Sequence, residues 1–363
     1  MTRKFLLLVV TGALLLGTRL PAQTPKVLKQ GLVYPCARAT GAIVVDGDLN
    51  DAAWSRAALV SGFRDSGREV IFPEPMAMQL LWDDDNVYMA VTCYESKMNK
   101  LVTNVTAHDG PFWEDDCIEI FFDPGHVHAD YYQLAVTAKG VRYDSWKGDR
   151  LWSKPWTAKT KHYPDRWTVE LAIPGATLGV GKMAPPAFWG FNLCRERLAG
   201  GSRELANWAD VERNFNTPEL FGHLLFVSDN WQPAEGELPG IAAQAAGTVE
   251  NRLYTARGIW TITADGKSRF ESYLDQVRVM FRELPDEAQE LQKLYAAKPK
   301  LPHAKEFAKL TESFAGWKKQ AFAQDQFDGV SLSKAILFHD LFRTQLKSFF
   351  WNAKLAQLNE DMP

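Results

Sequence analysis

Between residues 41 and 228 the apolar residues come in short strand-like runs, and after Asn230 they are spaced for helices. This change of period constrains the fold more than any single motif. Runs at 77–82, 86–94, 117–122, 131–137, 141–146, 167–173, 190–195 and 223–227 are interrupted by Pro124-Gly125, Lys139-Gly140, Pro174-Gly175, Pro185-Pro186 and Pro218. Proline and glycine at such intervals supply the restricted or permissive torsions of turns. The spacing predicts about a dozen strands in an all-β sandwich, antiparallel and jelly-roll-like, in preference to strands alternating with crossover helices.

Strand 86–94 sets Val87, Met89, Val91 and Cys93 on one side and Tyr88, Ala90, Thr92 and Tyr94 on the other. Neither side is fully polar, which places it between two covered surfaces. Asp83, Asp84 and Asp85 link it to strand 77–82 by a tight turn. Beyond residue 230 an Ala-rich stretch reads as a linker or cap over 230–250. Lys, Glu, Gln and Ala then dominate, with helical spacing over 272–284, 286–297, 303–321 and 331–358. The expected organisation is a lead-in over 23–40, a β domain over 41–229, the cap, and an α-helical C-terminal extension over 251–363. Those helices need a partner surface, either each other, the β domain or a second protein.

The first 22 residues read as a signal peptide: Arg3 and Lys4, an apolar core over 5–16, then a small-residue site ending at Ala22. That core is short for a bilayer span, and no later run reaches the roughly 18 apolar residues a transmembrane helix needs. The chain is therefore expected to be secreted or periplasmic, with no transmembrane segment. With 41 basic against 44 acidic residues the formal charge is -3, no footprint for nucleic acid. Cys36, Cys93, Cys117 and Cys194 are too few and too widely spaced for a disulfide framework or a structural zinc site.

The stretch "GPFWEDDCIEIFFDPG" at 110–125 sets Trp113 beside Glu114, Asp115, Asp116 and Glu119. A pyranose offers a CH-rich face to an indole and an edge of hydroxyls to carboxylates, amides and arginines. Trp113 with its acids supplies both contacts, Asn207-Trp208-Asp210 supplies them again, and Arg195 can reach a loop edge. The plainer alternative makes Trp113 and Trp208 caps on the ends of the core. Asp115 and Asp116 precede the strand and are expected to organise the loop, with Asp123-Pro124-Gly125 as the closing turn. Asp46, Asp48 and Asp51 form an oxygen-rich cluster that fits calcium or a tight turn equally well. His126 and His128 are expected to be solvent-facing loop residues.

Seven pieces in order, "VDGDLNDAAW", "LLWDDDNVYMAV", "FWEDDCIEIFFDP", "YYQLAVTAKG", "WTVELAIP", "WGFNLCRE" and "NWAD" before "FGHLLF", run from residue 45 to 226. This series resembles the family 9 carbohydrate-binding modules of secreted xylanases and related bacterial proteins. The resemblance implies a β-sandwich with structural calcium and two tryptophans clasping a terminal sugar ring. Trp113 and Trp208 match that pair, and Glu119 matches an acid that hydrogen-bonds sugar hydroxyls. The family's central-strand arginine has no equivalent; Gln133 is the polar residue there. The expected site is thus Trp113, Trp208, Glu119, Asn207, Gln133 and Arg195, with Asp46, Asp48 and Asp51 for calcium. The expected function is non-catalytic glycan binding without a catalytic cofactor. The alternatives are a glycoside-active enzyme with carboxylates from two domains, and an interaction domain that has lost sugar binding.

Overall fold

The computed structural model describes residues 31–360 except 69, 186, 213, 247 and 248, so the expected signal peptide lies outside the described residues. The strands are β1 (Gly31–Arg38), β2 (Arg64–Asp65), β3 (Met76–Trp82), β4 (Asn86–Tyr94), β5 (Cys117–Asp123), β6 (Tyr132–Thr137), β7 (Arg142–Trp146) and β8 (Thr157–His162). They continue as β9 (Arg166–Pro174), β10 (Ala187–Arg197), β11 (Glu204–Asn207), β12 (Gly222–Val227), β13 (Asn251–Tyr254), β14 (Gly258–Ile262) and β15 (Ser268–Ser272). The helices are α1 (Leu238–Ala245), α2 (Tyr273–Phe281), α3 (Asp286–Ala297), α4 (Ala304–Ala323) and α5 (Gly329–Glu360).

All the strands join one sheet, whose main path runs β7-β6-β5-β10-β12-β1-β3-β4-β9-β8. Ile118, Ile120, Leu134 and Val136 near one end of the path share a core with Met89, Val91, Val169 and Leu171 near the other. The sheet therefore curls almost closed around one core. The all-β domain with C-terminal helices is as expected, but its strands are not purely antiparallel in two separate sheets. β1 pairs parallel to β12, β3 and β13 and makes the sheet mixed.

β1 falls wholly within the expected lead-in, yet Val33, Tyr34 and Cys36 are fully buried. Tyr34 Oη donates to Ala58 O and accepts from Leu80 N. In β4, Val87, Met89, Val91 and Cys93 face the main core, while Ala90 meets Trp54 and Leu81 on the other side. At the turn before β4, Asp83 Oδ1 accepts from the amides of Asp85 and Asn86, the local backbone capture that favours Asp in tight turns. The four cysteines are buried free thiols.

Past β12, α1 lies in the Ala-rich stretch and packs on Val33, Leu225 and Leu253. The region expected to be helical opens instead with β13–β15, and β13 extends the sheet beside β1. α2 to α5 bury their own core around Val277, Phe281, Leu291, Phe314 and Phe342. They also dock on the β domain, where Ser333 Oγ lies 3.0 Å from Ser61 Oγ and Lys334 sits over the Tyr94 ring. No helix among the described residues is long and apolar enough to cross a membrane.

Candidate carbohydrate-binding face

Directly opposed residues of paired antiparallel strands share a face, so the register decides which side chains meet. One row runs Tyr143, Ala135, Glu119, Cys194, Asn207, Arg64 across β7, β6, β5, β10, β11 and β2. Flanking rows place Ser145 and Gln133 on one side of Glu119 and Glu196 and Leu205 on the other. Glu119, Gln133, Glu196 and Asn207 thus form a polar floor on one face.

Trp113 rims that floor from a single 3-10 turn, Phe112–Glu114. The acids beside it hold the loop: Asp115 accepts from the amides of Asn104 and Val105, and Asp116 from those of Val102 and Leu198. Phe112 anchors the turn on Cys117, Ala135 and Tyr143 and meets the Trp113 indole edge to face at 5.2 Å. The indole is half-buried, with the exposed Arg150 guanidinium 5.1 Å from its centroid. Arg203 links rim to floor, donating to Trp113 O at 2.7 Å while its Nε lies 3.3 Å from Glu196 Oε2. At the far end Val211, Phe215 and Phe221 fold over Phe121 and Cys194.

The floor favours the protonated form of its carboxyl pair. Burial and the adjacent Glu196 carboxylate push Glu119 up to about 8, and burial raises Glu196 as well. Gln133 Nε2 donates to Glu119 at 2.7 Å, and Ser145 Oγ sits 3.3 Å from Gln133 Oε1. Asn207 is fully buried, and neither oxygen nor nitrogen of its carboxamide has a hydrogen-bond partner. Two carboxyls in hydrogen-bond contact are too close to flank a glycosidic bond, which needs about 5 Å or more between them.

This pair has a measurable consequence. Between pH about 4.5 and about 8 the folded protein keeps a proton on Glu119 that the unfolded chain has lost, so stability falls as pH rises through that window. The buried His223, held down at about 3, acts oppositely: below about 6.5 the unfolded chain takes a proton that the fold refuses. The two oppose each other below pH 6.5, leaving pH 6.5 to 8 for Glu119. There the unfolding free energy should fall by up to about 1.4 kcal/mol per pH unit. Glu119→Gln, which keeps the neutral shape, should flatten that slope in urea titrations.

Not every expected site residue reaches this face. Trp208 is 2% exposed and lies in the main core against Phe191 and Tyr254, its Nε1 without a partner. Its small exposed part lines a cleft of about 960 Å³ between the β domain and the helices, which Arg64, Tyr254, Tyr273 and Ser333 also line. Arg195 is also on the reverse side, paired to Glu95 at 3.0 Å with both side chains fully buried. Neither is placed to clasp a ligand opposite Trp113. His126 and His128 are half-buried rather than solvent-facing, and His126 Nε2 lies 2.8 Å from His223 Nδ1.

The donor set expected for calcium does not fit an ion. Asp48 turns onto Lys161 and Tyr163, Asp51 accepts from Val44 N, and Asp46 Oδ1 from Asp48 N. The loop is closed by Glu170, which accepts from the amides of Asp46 and Gly47 and from Trp54 Nε1. Among the described residues these aspartates form no converging group.

Sequence reasoning missed Glu196, Arg203 and Glu95. Glu196 is within reach of the sequence: extending strand 190–195 by one residue includes it, on the Cys194 side.

Comparison with known proteins agrees with the ordered motifs. The family model described as carbohydrate family 9 binding domain-like matches residues 45–229. Endo-1,4-beta-xylanase A of Thermotoga neapolitana is 24% identical over 192 residues, covering 52% of this chain and 17% of its own length. The same-named enzyme of Thermotoga maritima is 25% identical over 209 residues, 54% of this chain and 18% of its own. The chain thus spans under a fifth of the curated relatives it matches. A family 9 module from Caldicellulosiruptor kristjanssonii solved with glucose is 21% identical, TM-score 0.42, covering 55% of this chain and 100% of that one. The cellotriose complex from the same organism is 22% identical, TM-score 0.42, covering 56% and 98%.

Proposed function

Because the chain belongs to the carbohydrate family 9 binding domain-like family, we propose that it is an exported, non-catalytic glycan-binding protein that uses the Trp113 face. A sugar ring lies on the Trp113 indole, where Arg150 now sits, and its hydroxyl edge turns down to Glu119, Glu196, Gln133 and Asn207. A single aromatic platform replaces the expected clasp, so the polar floor contributes a larger share of the recognition. The proton on Glu119 stays shared with Glu196, the remaining carboxyl oxygens accept from sugar hydroxyls, and an amide both donates and accepts.

The observation that carries this reading is Asn207. A buried carboxamide with both polar atoms unpaired costs about 1–3 kcal/mol, a cost that a ligand at this face would relieve. Calorimetry with glucose, cellotriose and xylo-oligosaccharides tests it. Trp113→Ala and Asn207→Ala should each weaken binding at least tenfold, about 1.4 kcal/mol, while Asn207→Ala leaves Tm unchanged or raised. If wild-type protein with an intact thermal transition binds none of these sugars, or if Asn207→Ala keeps full affinity and loses stability, the reading fails.

A further inference from the structure

We propose that His108, Asp109 and Asp144 form a binding site for a zinc-class divalent cation. One ligand atom from each lies within 4.8 Å of the others, and they are the converging group of metal-ligating side chains among the described residues. Asp144 is the informative member. Its side chain is fully buried on β7, and Oδ2 faces Trp156 Nε1, Lys154 N and Ser153 Oγ at 3.2 to 3.5 Å. Oδ1 has no hydrogen-bond partner. A carboxylate oxygen left bare in the interior is costly unless something positive faces it.

What faces it is His108 Nε2, at 3.9 Å. That is too long for a hydrogen bond, yet two ligands of one ion, each about 2.0–2.2 Å from it, stand roughly 3 to 4 Å apart. On the other side of the ring, Nδ1 lies 2.7 Å from Asp109 Oδ2. A proton held there leaves the Nε2 lone pair directed at the gap, the arrangement by which a carboxylate orients a metal-bound histidine. The backbone is built to the same end: Asp109 has φ +59, its amide donates to Arg142 O, and the Asp144 amide donates to Asp109 Oδ1.

The donor set selects the ion. One imidazole nitrogen and one buried carboxylate, with Asp109 holding the ring from behind, suit zinc or a similar first-row ion, whereas calcium takes oxygen ligands and more of them. His108 is 42% exposed at its side chain, so the site opens to solvent and water completes the coordination. Such an ion ties the loop that also carries Trp113 to β7.

Untagged, metal-free full-length protein is titrated with zinc chloride at pH 7.5, and cobalt(II) is used in parallel for its visible absorption. We expect a one-to-one zinc site, a rise in Tm on loading, and affinity lowered at least tenfold by both His108→Gln and Asp144→Asn. Because Asp144 also caps the 153–156 turn, the half-exposed His108→Gln is the variant whose folding is secure. His126→Gln, which alters the separate histidine cluster, should leave this zinc site unchanged. Equal zinc affinity in wild type and His108→Gln, loss of the site in His126→Gln, or displacement of zinc by equimolar calcium would overturn the proposal.

Discussion

Trp208→Ala should lower the unfolding free energy by about 3–5 kcal/mol, the range for emptying a buried tryptophan site. The indole is 2% exposed, rests between Phe191 and Tyr254, and sits so close to Gly222 that a Cβ there would meet its Cζ3 at 2.6 Å. Gly222→Ala should therefore also destabilise, because neither the indole nor the strand under it has room to move. Equilibrium urea unfolding measures both. A sugar-clasping tryptophan behaves differently: its truncation cuts affinity and leaves the urea midpoint in place. Unchanged stability in Trp208→Ala, with binding lost, would restore the two-tryptophan clasp and displace Trp208 from the core.

Strand alternation explains why the clasp fails here. Neighbouring residues of a strand point to opposite faces, and Asn207 shares its row with Glu119 and Cys194. Trp208 continues the alternation with Ala206 and turns into the core, so Asn207 and Trp208 cannot both serve a ligand at Trp113. Arg195 follows the same rule, inward between Cys194 and Glu196. The sequence names these residues, but only the register sorts them by face. Glu119, Gln133 and Asn207 remained together because they come from strands whose pairing brings them within two rows. His223 could not be foreseen beside His126, since nothing local links "FGHLLF" to "PGHVHAD".

The fold was legible where turns punctuate it and obscure where pairing is long-range. Asp, Pro and Gly mark the runs of β3 to β7, β9 and β10, while the polar edge strand β8 carries no apolar run to read, and helical spacing marks α2 to α5 within a few residues. β1 carries no such mark: its partners β12 and β3 lie far along the chain, and parallel pairing leaves no hairpin to read. The short β13 to β15 were hidden in a region whose composition favours helix. They form because each pairs with a neighbour, and β13 also pairs with the first residues of β1.

The largest electrostatic effect is expected at Glu95, where Glu95→Ala should cost about 3–5 kcal/mol of stability. Its carboxylate, fully buried, accepts from Arg195 Nη2 at 3.0 Å, from Arg197 Nε and Nη2 at 2.7 Å, and from Lys97 N at 2.9 Å. Those contacts hold it below the ordinary glutamate range despite burial, and Arg197 is correspondingly raised. Removing the acid leaves Arg195 with only the carbonyls of Tyr94 and Glu74, and Arg197 with Glu204 and Glu74. A guanidinium stripped of its counter-ion in the interior costs more than the pair contributes, so a triple change of Glu95, Arg195 and Arg197 to apolar residues of similar volume should be far milder than Glu95→Ala alone. Urea midpoints of the two variants separate the cases: equal losses would mean that the cluster is stabilising in its own right, and a larger loss in the single variant that the uncompensated charge dominates. Glycan affinity should be unmoved in either protein at temperatures where it is folded, because all three side chains lie on the face away from Trp113.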